Sequence, residues 1–427
     1  MRRKGFLTGL FALLLTVVFA SGAGAADGAG IDKADTAWLL VSAAMVLFMT
    51  PGLALFYGGM TRKKNVLGTM MHSYFILALI TIQWIVWGYS LSFAPDMGGI
   101  IGRFDFLGLS GVGVEARGTI PHLLFMCFQG MFAAITVALI TGAFAERIKF
   151  SAVVLFGLLW AAVVYDPLCH WVWGNGWMQQ LGVLDFAGGI VVHISCGISA
   201  LVAALVVGKR RGYPRELMPP HNLTLTFAGM GILWFGWFGF NAGSALASDA
   251  SAVMAFVTTN TAACAGTLVW TFIEWRHRGK PTMLGAMSGS VAGLGSITPA
   301  AGFVTPLPAI VIGVVAAALC YFAVSFLKAR FAYDDTLDVF GIHGIAGTWG
   351  TLATGLFASV GAKGLFYGNP GQLGIQAIGA GATIVFCAVL TFVILKIVDA
   401  LVGLRVTNEQ EVEGLDLSQH EERGYNL

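Results

Sequence analysis

The sequence predicts an all-α membrane protein of eleven transmembrane helices, and three observations carry that prediction. Hydrophobic residues make up 57% of the 427 and charged residues only 11%, with a mean hydropathy of +0.79. A soluble domain carries about 25% charged residues, so a soluble core has no room for this much apolar sequence. Apolar runs recur along the chain, each near the ~20 residues that a helix needs to cross about 30 Å of hydrocarbon. The Lys and Arg residues between those runs fall alternately on the two sides.

The first 25 residues read as a cleaved secretory signal peptide. Arg2, Arg3 and Lys4 precede an apolar run from Leu10 to Ala20, and Ala23-Gly24-Ala25 fits an A-x-A cleavage site. The run is short for a span, which disfavours the alternative of an uncleaved first helix. Residues 26–405 then form the membrane domain and 406–427 a polar tail rich in Glu, expected on the cytoplasmic side and partly disordered by itself.

The spans are expected at 36–60, 66–93, 119–144, 150–170, 185–208, 221–243, 251–275, 281–299, 303–328, 338–360 and 372–404, the eighth being Gly-rich. One side receives Arg62, Lys63, Lys64, Arg147, Lys149, Lys209, Arg210, Arg211, Arg215, Arg276, Arg278, Lys280, Lys328, Arg330, Arg405 and Arg423. The other receives Lys33, Arg103, Arg117 and Lys363. Sixteen against four places the N-terminus outside and the C-terminus inside by the positive-inside rule, the same orientation that an export signal gives. The last span would reach about 50 Å as a helix, longer than the hydrocarbon core, so it is expected to tilt or project into the cytoplasm.

Composition excludes other classes. A net charge of +2 gives no basic face for nucleic acid. The six cysteines, Cys127, Cys169, Cys196, Cys264, Cys320 and Cys387, stand singly in apolar segments and read as small core residues. Gly is frequent, at 57 residues, which in a membrane means close helix packing.

Ionisable side chains at membrane depth are costly and read by default as functional. His193 lies about 12 Å into the fifth span from Asp185, and His343 about 7.5 Å into the tenth from Asp338, by helical rise. They approach the midplane from opposite faces, as an inverted repeat of spans 1–5 and 6–10 would arrange. The competing reading is two unrelated polar residues in helix contacts. Burial disfavours the imidazolium, so both rings are expected to be neutral, a pair able to donate and accept hydrogen bonds to a small uncharged solute. A metal site would need a third ligand at a suitable spacing, and none appears; no metal or cofactor is expected. Asp185 suits an N-cap of the fifth span, accepting its orphan amides.

Several segments, taken together, resemble the bacterial ammonium transporter family. They are Phe128-Gln129-Gly130-Met131-Phe132-Ala133-Ala134-Ile135-Thr136, Ala145-Glu146-Arg147-Ile148, Asp185-Phe186-Ala187-Gly188-Gly189-Ile190-Val191-Val192-His193, Gly236-Trp237-Phe238-Gly239-Phe240-Asn241-Ala242-Gly243-Ser244, Asp338-Val339-Phe340-Gly341-Ile342-His343-Gly344, and Gly403-Leu404-Arg405-Val406 with Glu413-Gly414-Leu415-Asp416. The resemblance implies a channel-transporter and not an enzyme. Phe128, Phe132, Trp173 and Ser244 would recruit ammonium at an outer site, Phe132 and Phe240 would stack as a gate with Trp237 beside the pore, and His193 and His343 would be the twin pore histidines. Asp185 would support the outer site structurally. It further implies a homotrimer in the cell inner membrane and a PII signalling protein docked on the cytoplasmic face. Here the tail reads His420-Glu421-Glu422-Arg423 where the family often has His-Gly-Glu. The alternative function is an ammonium sensor acting through a cytoplasmic partner.

Overall fold

The computed structural model describes residues 30–425, so the expected signal peptide at 1–25 lies outside the described residues. Asp32 opens the first helix, α1 (Lys33–Met60), by accepting the amides of Ala34 and Asp35 at 2.8 and 2.9 Å. There follow α2 (Lys63–Phe93), α3 (His122–Phe144), α4 (Phe150–Leu181), α5 (Gly189–Val207), α6 (Leu223–Ala245), α7 (Ala250–Arg278) and α8 (Met283–Ile297). Next come α9 (Pro306–Phe331), α10 (Ile345–Phe357, preceded by a π-helical turn at Phe340–Gly344) and α11 (Gly371–Val402). Side-chain caps mark several starts: Asn222 for α6, Asp249 for α7 and Thr282 for α8 each accept a first-turn amide.

Among the described residues, nine helices are long and apolar enough to cross a membrane. The two expected spans that fall short are the eighth, where α8 has 15 residues, and the tenth, where α10 has 13. Both are rich in Gly and small residues and sit deep in the bundle, where neighbouring helices and not lipid surround them. The tenth also starts later than the expected residue 338. Asp338 has a left-handed backbone, φ 59°, so the helical run begins at Val339, one residue on.

The helices pack so that α1 runs along α6, α7 along α8 and α9, and α5 against α10 and α11. Large apolar side chains such as Leu40, Phe272, Leu307 and Val385 remain on the outside, as a lipid-facing surface requires. Alternate loops gather at the two ends of the bundle. At one end, called here the tail end, Arg62 pairs with Glu146 at 2.6 Å and Arg210 with Asp334 at 2.8 Å. Buried Arg147 reaches the carbonyls of Asp334 and Gly208 at 2.6 and 2.7 Å. Burial works against the Glu146 and Asp334 carboxylates, but the facing guanidinium groups outweigh it and hold both below the usual range.

The tail forms two short helices docked on the bundle. α12 (Asn408–Glu413) starts in a Thr407–Gln410 capping box, and α13 (Leu415–His420) follows Gly414. Glu411 accepts from Arg405 at 2.7 Å and from the Arg211 amide at 2.7 Å, and Asp416 accepts the Gly68 amide at 2.8 Å. These partners come from the bundle, so the tail folds by docking on charged loops.

Candidate functional site

His193 and His343 both lie in π-helical turns, Gly189–Ile194 and Phe340–Gly344. Such turns widen a helix locally and recur at functional positions. The two helices cross backbone to backbone: a Cβ on Gly197 would collide with the backbone of Gly344, and one on Gly347 would lie 2.8 Å from the His193 Cβ. Only glycine permits that approach. It brings the imidazoles into parallel contact, with ring centroids 5.2 Å apart, planes at 14° and the two Nδ1 atoms at 3.2 Å.

A single proton must serve that Nδ1–Nδ1 hydrogen bond. The ring that donates it keeps a bare Nε2, and the ring that accepts it carries its proton on Nε2. The neutral pair therefore offers one acceptor and one donor. The Nε2 of His193 is buried without a protein partner. The cavity beside the rings is walled by Val192, Ile135, Leu139, Leu233, Trp237 and Phe240 and leaves about 20 Å³ for the centre of a water-sized molecule, room for on the order of one guest.

Trp237 stacks on His193 at 5.5 Å and 19° and is pinned by donating Nε1–H to the Thr298 hydroxyl at 3.0 Å. Further along, the Phe240 and Phe132 rings meet at 4.2 Å with their planes tilted by 32°. Beyond them Phe128 meets Phe132 edge-on at 4.9 Å, and Trp173 meets Phe132 at 6.0 Å and 89°. Ser244 lies one turn past Phe240 and donates to the Phe240 carbonyl at 2.8 Å, which leaves its oxygen lone pairs available. Trp173 is held by the Asp185 carbonyl at 2.9 Å. The Asp185 carboxylate takes the amides of Gly188, Gly189, Ile190 and Val191, at 2.7 to 3.3 Å, and so anchors the His193 turn. Of the nine residues expected from the sequence, Phe128, Phe132, Trp173, Phe240, Trp237, His193 and His343 form one run of ring contacts, with Ser244 bonded to the Phe240 carbonyl and Asp185 holding Trp173 and the His193 turn. Among the described residues, no group of three or more His, Cys, Asp or Glu side chains is placed to hold a metal.

Three groups near this path went unnoticed in the sequence. Asp335 is fully buried and accepts the Phe340 amide at 2.8 Å. It stands eight residues before His343, as Asp185 stands eight before His193, and that shared spacing was the available signal. Burial pushes Asp335 up to about 6, with Lys328 pulling against it and Asp338 adding to it. The Lys328 ammonium binds Asp338 at 2.6 Å. Asp166, inside α4, accepts from the Gln83 amide at 2.7 Å; an acidic residue within an expected span was the clue.

The Ammonium Transporter Family profile matches residues 37–425. The ammonium transporter of Bacillus subtilis is 54% identical over 403 residues, covering 92% of this chain and 99% of that protein. Ammonium transporter Amt1 of Archaeoglobus fulgidus is 48% identical and covers 92% and 100%. The crystal structure of Saccharomyces cerevisiae Mep2 superposes with a TM-score of 0.84 at 37% identity, over 89% of each chain. A structure described as a sensor Amt protein gives 0.86 at 28% identity, over 91% and 98%.

Proposed function

The chain belongs to the ammonium transporter family, a family of transporters and not enzymes, and from that premise we propose how it moves its substrate. Ammonium is recruited by Phe128, Phe132, Trp173 and Ser244. Each aromatic face attracts a cation by about 0.5 to 2 kcal/mol, and the Ser244 oxygen accepts an N–H. Ammonium then sheds a proton near the Phe132–Phe240 gate, and neutral ammonia passes His193 and His343.

The observation that carries this reading is the proton-sharing histidine pair in an apolar cavity. Stripping a bare cation of water there would cost of order tens of kcal/mol in Born terms, whereas ammonia gives up only a few hydrogen bonds, and the rings offer both an acceptor and a donor. Potassium matches ammonium in charge but has no proton to lose. Changing His193→Ala together with His343→Ala is expected to abolish selective ammonium uptake in reconstituted vesicles; unchanged ammonium-specific flux would refute the mechanism.

The same reading takes α1 to α11 as eleven spans in an inverted 5+5 repeat, after a cleaved signal peptide, with the N-terminus outside and the tail in the cytoplasm of a cell inner membrane. Support comes from π-helical turns in helices five apart, in α4 with α9 and around the two histidines in α5 and before α10. Homotrimer assembly and a PII partner on the tail end complete it. A pull-down with PII, with and without nucleotide and 2-oxoglutarate, tests the latter. The likeness to a sensor Amt structure favours a second reading, in which the same site signals through a cytoplasmic partner. Ammonium-elicited current through purified protein separates the two, since a pure sensor passes none.

A further inference from the structure

The passage continues past His343 toward the tail end into a second cavity, walled by Phe56, Met60, Ser288, Leu337 and Asp338. Asp338 is the carboxylate in its wall, and it is paired with an amine. Lys328, in the last turn of α9, donates its ammonium group to the Asp335 carbonyl at 2.7 Å and to Asp338 Oδ1 at 2.6 Å. Asp338 is presented by a left-handed backbone, φ 59°, a strained conformation for a residue with a side chain and one that clusters at ligand clamps. Asp335 uses Oδ2 on the Phe340 amide, while its Oδ1 is buried with no partner.

A lysine ammonium and the ammonium ion are the same kind of guest, a compact cationic nitrogen that needs short N–H···O contacts. Two acceptors already meet Lys328 at charge-assisted distances. We propose that Asp338 and the Asp335 carbonyl form a second cation site at the tail-end mouth, specific for ammonium-type ions and filled here by the chain's own Lys328. A tethered amine acts at an effective concentration of order millimolar or above. Lys328 therefore keeps free ammonium from loading at this mouth, and the two ends of the passage differ in how readily they accept the ion. The choice of ammonium as the competing guest rests on the transport reading above; the site itself rests on the lysine contacts.

The test is equilibrium binding of radiolabelled methylammonium to purified full-length protein carrying Trp173→Leu, which removes the outer aromatic site. Adding Lys328→Met is expected to create one saturable site per chain, and adding Asp338→Asn to remove it again. Lys328→Gln, which keeps a donor for the Asp335 carbonyl but no charge, is expected to open the site as well and guards against a folding defect in the Met variant. No gain of binding in either lysine variant, or a gain that survives Asp338→Asn, overturns the proposal. Protein with Trp173 and Lys328 intact reports the outer site separately, so failure there counts against the transport reading and not against this site.

Discussion

Asp185 and Asp335 occupy matching places, each eight residues before a pore histidine, yet they are used differently. Asp185 spends both oxygens on four backbone amides, so its charge is fully engaged by the helix end it caps. Asp335 caps with a single amide and keeps an orphan oxygen beside Lys328 and Asp338. Asp185 thus braces a helix end through backbone hydrogen bonds, whereas Asp335 keeps one carboxylate oxygen without a protein partner near the Lys328–Asp338 pair. The same spacing gives a fully bonded cap before one histidine and a partly bonded one before the other.

That contrast breaks first at Asp185. Asp185→Ala leaves four buried amides unsatisfied and is expected to cost about 3 to 5 kcal/mol, near the top of single-residue effects. Asp335→Ala strands one amide and is expected to cost about 1 kcal/mol. Thermal unfolding of the two purified variants checks the order, and equal losses would contradict the asymmetry.

The crossing that joins the two ends is the next target. Gly197→Val drives a side chain into the Gly344 backbone, and because a backbone cannot yield as a side chain can, the cost is expected at about 3 kcal/mol, the upper range for overpacking. Transport should fall with it even in the fraction that remains folded, since the ring contact depends on the approach; retained flux would show that the close crossing is dispensable.

The pH response separates the carboxylates by sign. Asp335 holds its proton up to about 6 in the fold, against the ordinary 3.8 of a free aspartate, so the folded state binds more proton between those values and stability falls as pH rises through them, by at most about 3 kcal/mol. Glu146 and Asp334 are shifted downward by facing Arg residues. Their contribution is complete above the ordinary carboxylate range and is lost only as pH falls below about 4. Unfolding measured from pH 4 to 7 should show the declining trend in the parent chain and lose it in Asp335→Asn.

The last comparison is at Asp166, where the conservative change to Asn carries the smallest expected effect. Asp166→Leu leaves the Gln83 amide unpaired in the core and is expected to cost about 1 to 2 kcal/mol, whereas Asp166→Asn keeps an acceptor oxygen and should stay within about 0.5 kcal/mol. Unfolding of both variants decides whether that contact is a hydrogen bond alone.

Much of this was legible before the structure. Helix positions followed from apolar runs, and the opposed histidines from counting along two spans. The short tenth helix was read too long because Asp338 abuts the apolar run, and a left-handed residue leaves no mark in hydropathy. Lys328 was tallied as a loop charge because its partner lies ten residues on, across a turn that periodicity does not resolve. Trp173, Phe128 and Ser244 could be grouped only by family resemblance, since they come from three helices. The docking of the tail was not legible because it rests on Arg405, Arg211 and the Gly68 amide, partners that composition does not reveal.

Ammonium flux into vesicles of reconstituted protein, compared between the parent chain and His193→Ala with His343→Ala, tests the central claim most directly. The account predicts ammonium-selective flux with no potassium passage in the parent and its loss in the double variant; equal, selective flux in both would contradict it.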